Sequence, residues 1–495
     1  MNEPNQIPNW LMKRAYLTPD RPAIIFRNER LTFRQLFERA KTFAEKLHYT
    51  GVQKGDRVGV LLNNQLDTVV LLHSLQLLGC QTVLLNIRLQ DEELLFQLED
   101  SEAMILISNE SLLIEHRKLQ DVWIDRLITL EQLRKRAQRS VPVVEQFSMD
   151  ELCTIMYTSG TTGHPKGVLQ TYGNHWWSAA GSLLNLGLHE QDVWLCAVPL
   201  FHISGFSILV RSVLYGIPIR LYEKFDEKQI NRVLISGKAT IISVVTAMVQ
   251  RLLHELGDRS YHPNFRCMLI GGGKVPLPLL KTCKEKGIPV FQTYGMTETA
   301  SQIATLSPEH SLTKLGSAGK PLFFSEIKII KERKWANSNE FGEIYVKGPN
   351  VTKGYWKRED ANRENFTEDG WLKTGDIGYM DEEGFLYIID RRTDLIISGG
   401  ENIYPAEIEQ VILTHPAVKE VAVVGISDKQ WGEVPVAFYV VKEGVHVEEK
   451  TLDDLCRTHL AKYKVPKRWI RKDELPKNAS NKILRRLLKK GTDPA

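Results

Sequence analysis

Nothing in this chain has the pattern of an export signal, a membrane span or a thiolate metal site. The first twenty residues, MNEPNQIPNWLMKRAYLTPD, hold no apolar run of signal-peptide length, so a cytoplasmic protein without membrane insertion is expected. The most apolar early stretch, Leu66–Leu85, is interrupted by Asp67, His73, Gln76 and Gln81. It reads as helix, turn and buried strand rather than a transmembrane span. Six cysteines (Cys80, Cys153, Cys196, Cys267, Cys283 and Cys456) are scattered without a C-x-x-C pair or a Cys/His cluster. Free thiols in a reducing compartment are therefore the expectation. Internal repeats and low-complexity segments are also absent.

What is present is an ordinary globular composition, 43% hydrophobic and 25% charged, on 495 residues. That length exceeds what one hydrophobic core supports, so two or more domains are expected. The net charge of +4 is unevenly spread. Residues 451–495 hold 13 Lys/Arg against 5 Asp/Glu, a local +8, which leaves about −4 on the rest. A basic C-terminal patch suits an anionic small molecule. Nucleic acid is not expected, because no aromatic-interleaved basic motif accompanies the charge. Oligomeric state is open, a homo-oligomer included.

Short apolar segments alternate with helical periodicity over the first 320 residues. Ala23–Phe26 reads as a strand, Thr32-Phe33-Arg34-Gln35 as a capping box, and Leu36, Phe37, Ala40, Phe43, Ala44 and Leu47 as one helix face. Val58–Leu62, Thr82–Leu85, Val193–Val198, Ile217–Leu221, Thr240–Val245, Arg266–Ile270 and Pro289–Gln292 continue the rhythm as strands. The pattern predicts an α/β fold with doubly wound, mostly parallel sheets. From about residue 324 shorter strands and turns predict a small β-rich subdomain running to about 390. Asp390-Arg391-Arg392-Thr393-Asp394 then separates a large domain, 1–390, from an α+β module, 391–495.

The densest chemistry lies in Tyr157–Gly167, YTSGTTGHPKG. A polyphosphate needs backbone N–H groups that approach closely, short hydroxyl donors and a cation. Gly160, Gly163 and Gly167 permit close turns, Thr158, Ser159, Thr161 and Thr162 supply hydroxyls, and Lys166 supplies charge. The order Pro-Lys-Gly differs from a Walker loop, in which Lys directly follows glycine.

This loop resembles the signature of the adenylate-forming superfamily, which includes acyl-CoA synthetases, luciferase-like enzymes and peptide-synthetase adenylation domains. The likeness continues in order along the chain. Tyr294-Gly295-Met296-Thr297-Glu298 matches the family's Y-G-x-T-E segment; the resemblance implies that Thr297 contacts the α-phosphate of ATP and Glu298 holds Mg2+. Gly271-Gly272-Gly273 matches the backbone beside adenine, with Gly272 and Gly273 assigned to the nucleotide together with Tyr294. Asp376, in Thr374-Gly375-Asp376, falls where the family binds ribose, and Arg391 where a second ribose contact precedes a hinge near Thr393. Lys482, after Asn478-Ala479-Ser480-Asn481, falls on the lysine that spans the acyl carboxylate and the α-phosphate, although Asn481 replaces the usual glycine. Ser398-Gly399-Gly400-Glu401-Asn402 matches the loop lining the coenzyme A tunnel, so Gly399, Gly400 and the basic Lys462-Tyr463-Lys464 are assigned to CoA. The implied reaction is a ligation in two halves: a carboxylic acid and ATP give acyl-AMP and diphosphate, then the C-terminal module rotates and CoA displaces AMP.

The acid is read from Pro199–Gly205, where His202 falls at the family's acyl pocket, and from segments around Ser243–Met248, Gly271–Gly273 and Ser301–Ala304. Details such as Met296–Ser307, Lys314–Leu322 and the Asn-Ala-Ser-Asn-Lys ending are similar to the bacterial branch that ligates 2-succinylbenzoate to CoA in menaquinone biosynthesis. Such an acid carries a second carboxylate, for which Ser204, Ser301 and Gln302 are candidate donors. The alternatives are an aryl- or medium-chain acyl-CoA ligase of another pathway, a carrier-loading adenylation enzyme, and a luciferase-like oxygenase.

Overall fold

The Thr32 capping box forms as its sequence requires. The Thr32 hydroxyl accepts from Gln35 N, and the helix Phe33–Tyr49 buries Phe33, Leu36, Ala40, Phe43, Ala44 and Leu47 on one face. The apolar stretch beginning at Leu66 behaves differently. Its helix, Leu66–Leu78, is buried on nearly every side and ends on Gly79 in the left-handed conformation before the strand Gln81–Leu84. No described helix is long and apolar enough to cross a membrane.

The structure, a computed structural model, describes residues 5–158, 165–273, 275–390, 395–476, 483 and 485–490. Among these, two large sheets organise the first 390 residues. One has six strands in the order Lys166–Thr171, Leu152–Thr158, Gln81–Leu84, Arg57–Val60, Ile105–Ser108 and Leu127–Thr129, parallel except for the first pair. The other is built on a parallel centre: Val290–Met296, Cys267–Gly271, Ile241–Val245, Trp194–Cys196, Ile219–Leu221 and Pro22–Phe26. Helices cross between these strands, as parallel pairing demands.

The β-rich part is continuous with this second sheet. Ser301–Leu306 and Ser317–Pro321 turn the sheet antiparallel and hand it on to Leu386–Asp390, Leu372–Met380, Gly342–Lys347 and Glu326–Lys331. The strand Leu372–Met380 carries the Thr374-Gly375-Asp376 motif, a strand that the polar motif hides from pattern reading.

Residues from 395 onward make a separate five-stranded sheet of Glu401–Ile403, Ile396–Ser398, Gly432–Val441, Val418–Asp428 and Arg468–Arg471. The helices Pro405–Leu413 and Glu449–His459 pack on it around Ile408, Ile412, Leu452 and Cys456. Ala461 is the exception. It is fully buried in the N-terminal cluster of Leu89, Leu94, Leu98 and Leu106, so the two parts are docked on one another. All six cysteines are buried and free, and burial pushes their thiols up to about 12.

Candidate functional site

The carboxyl ends of the parallel strands face a cavity of about 290 Å3. Thr158, His202, Ser204, Gly272, Thr297, Glu298, Ser301, Gln302, Asp376, Gly399 and Gly400 all line it, residues drawn from six separate segments of the chain. Gly273 and Tyr294 line an adjoining cavity of about 630 Å3 together with Trp431 and Lys429 of the C-terminal part. A smaller one, about 110 Å3, lies by Thr158, Pro165 and Tyr463. Ser159, Gly160, Thr161, Thr162, Arg391, Lys482 and the hinge position Thr393 lie outside the described residues.

The turn after strand Val290–Met296 explains why Tyr294-Gly295-Met296-Thr297-Glu298 needs its glycine. A Cβ on Gly295 would sit 1.8 Å from the carbonyl oxygen of Ser301, so only glycine lets the next strand close over the turn. Thr297-Glu298-Thr299 then forms a single 3-10 turn facing the cavity. Gln170 Nε2 donates to the Thr297 carbonyl at 2.6 Å and tethers this turn to the strand after the phosphate loop.

Glu298 is the better defined of the acidic residues. The Tyr355 hydroxyl donates to its Oε1 at 3.0 Å, and Lys166 Nζ lies 5.4 Å from the centre of the same tyrosine ring. Burial raises the Glu298 carboxyl above its ordinary value, opposed by the Tyr355 hydrogen bond and by Lys166, and reinforced by Asp376. A cation at this carboxylate would relieve the desolvation cost. Among the described residues no cluster of three metal-ligating side chains exists. The donor set fits a magnesium ion shared with phosphate oxygens, which needs only one or two protein carboxylates. Asp376 is also buried, and the Tyr294 hydroxyl donates to its Oδ2 at 2.6 Å.

His202 caps the helix Ile203–Tyr215, and its Nε2 lies 3.2 Å from Oε1 of Glu401, a residue of the C-terminal part. Arg88 also bonds Glu401 Oε1, and Asn86 Nδ2 approaches Oε2 at 3.3 Å. His202, and after it the Arg88 guanidinium, hold the Glu401 carboxyl at about 2 against the burial that would raise it. The loop bearing Glu401 enters through Gly399 and Gly400, both with positive φ; a Cβ on Gly399 would meet the Trp431 ring at 2.8 Å.

Beside Ser301 the cavity holds a residue that the sequence reading missed. Arg211 sits on the otherwise uncharged helix Ile203–Tyr215, is 1% exposed and lines the cavity. Its Nη2 donates to Ser301 Oγ at 3.3 Å, its guanidinium lies 5.3 Å from the Trp194 ring, and its Nε has no partner. No carboxylate pairs with it among the described residues. Burial lowers its pKa from the usual arginine value. One arginine within the run ISGFSILVRSVLY was the available signal. Of the expected donors, Ser301 contacts this arginine, while the Gln302 amide nitrogen is committed to Thr305 Oγ1 at 3.3 Å. Ser204 lines the cavity wall nearer His202.

One expectation is corrected. Lys464 is not part of an open basic patch for CoA phosphates, because it is buried on the carboxylates of Glu93 and Glu407. Lys462 is exposed and faces none of the three cavities.

The chain is similar over nearly its whole length to proteins of known activity. The chain is 55% identical to a 2-succinylbenzoate–CoA ligase of Geobacillus kaustophilus over 98% of both chains. It superimposes with a TM-score of 0.93, at 51% identity and 98% coverage of both, on a double mutant of the o-succinylbenzoate CoA synthetase of Bacillus subtilis bound with its product analogue OSB-NCoA. The same synthetase in complex with the acyl-adenylate intermediate OSB-AMP gives 0.77 at the same identity and coverage. The AMP-binding enzyme family matches residues 11–356 and its C-terminal domain matches residues 407–482, and the chain belongs to that family.

Proposed function

We propose that this protein is an AMP-forming acid–CoA ligase of the cytoplasm that joins 2-succinylbenzoate to coenzyme A, a step of menaquinone biosynthesis. The observation that carries the choice of acid is Arg211. A buried guanidinium without a carboxylate is costly, and the cost is removed when the substrate brings one. An acid with a single carboxylate, spent on the chemistry near His202, would leave Arg211 uncompensated. 2-Succinylbenzoate has a succinyl carboxylate to activate and a ring carboxylate to pair.

In the first half, the succinyl carboxylate attacks the α-phosphorus of ATP; the new C–O–P bond forms as the bond to diphosphate breaks. Thr158 and Thr297 offer hydroxyls to the phosphates, and Lys166 a positive charge. Asp376 and Tyr294 face the ribose. Glu298 would hold the magnesium ion, which when bound neutralises phosphate charge and orients the diphosphate. Lys482 would bridge carboxylate and α-phosphate. In the second half, the thiol of CoA adds to the acyl carbonyl and AMP departs, carrying both electrons of the C–O bond. The channel for the thiol is formed by Gly399, Gly400 and Trp431, and Glu401 fixes the His202 ring beside the carbonyl.

The domain division at about residue 390 suits this two-step scheme. The segment from 395 holds roughly a fifth of the chain, and a different placement of that fifth is the size of change that separates TM-scores of 0.93 and 0.77. The test is AMP release by purified protein supplied with ATP, Mg2+, CoA and a panel of acids. 2-Succinylbenzoate is expected to be the substrate. Turnover of benzoate, coumarate or fatty acids with none of 2-succinylbenzoate would overturn the reading.

A further inference from the structure

Away from the reacting atoms lies a second buried charge cluster to which the chemistry assigns nothing. Lys464, on the segment after the helix Glu449–His459, donates to Oε1 of Glu93 and, at 2.6 Å, to Oε1 of Glu407. The three side chains are only 4, 9 and 8% exposed. Glu407 belongs to the C-terminal helix Pro405–Leu413, so its bond to Lys464 lies within one part of the molecule. Glu93 belongs to the N-terminal helix Asp91–Asp100 and reaches across. Its other oxygen accepts twice, from Gln90 N at 2.8 Å as the helix's own capping box and from Ala461 N at 3.1 Å. One carboxylate thus ends a helix, captures a backbone amide of the opposite part and shares its lysine.

The surroundings make the contact specific to this docking. Ala461 fills the N-terminal cluster around Leu94 and Leu98, and Tyr463 packs beside it. The cluster borders the small cavity that Thr158, His202 and Glu401 also line. Glu407 Oε2 has no partner, the mark of two carboxylates dividing one ammonium. Apart from the docked arrangement, Lys464 would keep Glu407 and Glu93 would return to water. The arrangement resembles the relative bound with a product analogue more than the relative bound with the acyl-adenylate, by TM-scores of 0.93 and 0.77.

We propose that Glu93 is a positioning residue for thioester formation: through Lys464 and the Ala461 amide it latches the C-terminal part in the orientation that admits the thiol, and it takes no part in adenylation. This rests on the two-half ligase reading above. The test is Glu93→Gln, which keeps the capping acceptor and removes the charge facing Lys464. Diphosphate release from ATP and acid is followed in a single turnover without CoA. Acyl transfer is followed separately, by adding CoA to preformed acyl-adenylate. The acyl-transfer rate is expected to fall about tenfold or more, since the charge-assisted bond from Lys464 across to the N-terminal part is lost while Lys464 keeps Glu407, with adenylation unchanged within about twofold. The ratio of the two rates is the readout, and partial loss of folded protein leaves it unmoved. A parallel fall in both halves, or no fall in either, overturns the latch. Failure of the wild type to release diphosphate with any acid would instead overturn the ligase reading beneath it.

Discussion

His202 Nε2 and Glu401 Oε1 lie 3.2 Å apart although 199 positions separate them in the chain. The contact joins the start of the helix Ile203–Tyr215, on the cavity wall, to the glycine loop of the C-terminal part. Arg88 and Asn86 hold the same carboxylate from a third segment, so the pocket's histidine is oriented only while the two parts are docked.

Replacing Glu401 by Gln is expected to separate the halves of the reaction. The amide keeps an acceptor for His202 but loses the buried negative charge that draws the half-exposed Arg88 to it. Acyl transfer to CoA should drop about tenfold or more, and adenylation by much less. Rapid-quench measurement of each half decides the matter, and equal losses would count against the assignment.

The docked cluster at Glu407 predicts a pH effect. Burial and the nearby Glu93 carboxylate push the Glu407 carboxyl up to about 7, against Lys464, which favours its ionised form. Lys464 is itself raised by Glu407, Tyr463 and Glu93, and Glu401 also acts on Tyr463. A carboxyl raised in the docked state binds a proton that the undocked state releases. Its contribution to docking is complete below the usual carboxylate range near pH 4.5 and is lost as pH rises through about 7. Glu407→Gln cannot titrate. The ratio of its acyl-transfer rate to that of the wild type should climb between about pH 5 and 7 and then level off. Taking the ratio cancels ionisation of the CoA thiol, and a flat ratio would contradict the prediction.

Tyr355→Phe tests the seat of the metal. The phenol donates to Glu298, and the segment around it ties two parts of the site together: Thr352 N bonds the Glu298 carbonyl at 2.7 Å and Trp356 N bonds the Gly167 carbonyl at 2.8 Å. Loss of one such outer contact should weaken metal binding about tenfold. Titration of Mn2+ by electron paramagnetic resonance in the presence of ATP reads this directly. An unchanged affinity would remove Tyr355 from the account.

Arg211→Met should discriminate between acids rather than disable the enzyme. Truncating one member of a buried charge pair costs about 2–5 kcal/mol, so kcat/KM for 2-succinylbenzoate should fall about 100-fold. With 4-oxo-4-phenylbutanoate, which lacks the ring carboxylate, the variant should equal or exceed the wild type. Loss of both activities together would point to collapse of the pocket.

Much of this arrangement could be read from local pattern. The parallel strands are short apolar runs between turns, and Thr32 and Gln35 form the capping box their spacing requires. Thr158, Thr297, Glu298 and Asp376 converge because each follows or lies on a strand whose end faces the same cavity. What escaped depends on contacts distant in sequence. Lys464 stands in a basic segment and has the look of a solvated residue until Glu93, 371 positions earlier, is brought against it. Arg211 has the periodicity of a core helix, and only packing shows that its head meets no carboxylate among the described residues. Glu401 sits inside a loop whose glycines drew attention to the backbone, while its carboxylate does the clasping.

The most direct measurement compares kcat/KM of the purified protein for 2-succinylbenzoate and 4-oxo-4-phenylbutanoate, scored by CoA-dependent AMP release. The two acids share the carboxylate to be activated and differ only in the group that would meet Arg211. A preference of about 100-fold or more for 2-succinylbenzoate is expected if that buried cation selects the substrate. Equal efficiency with the two acids would contradict it.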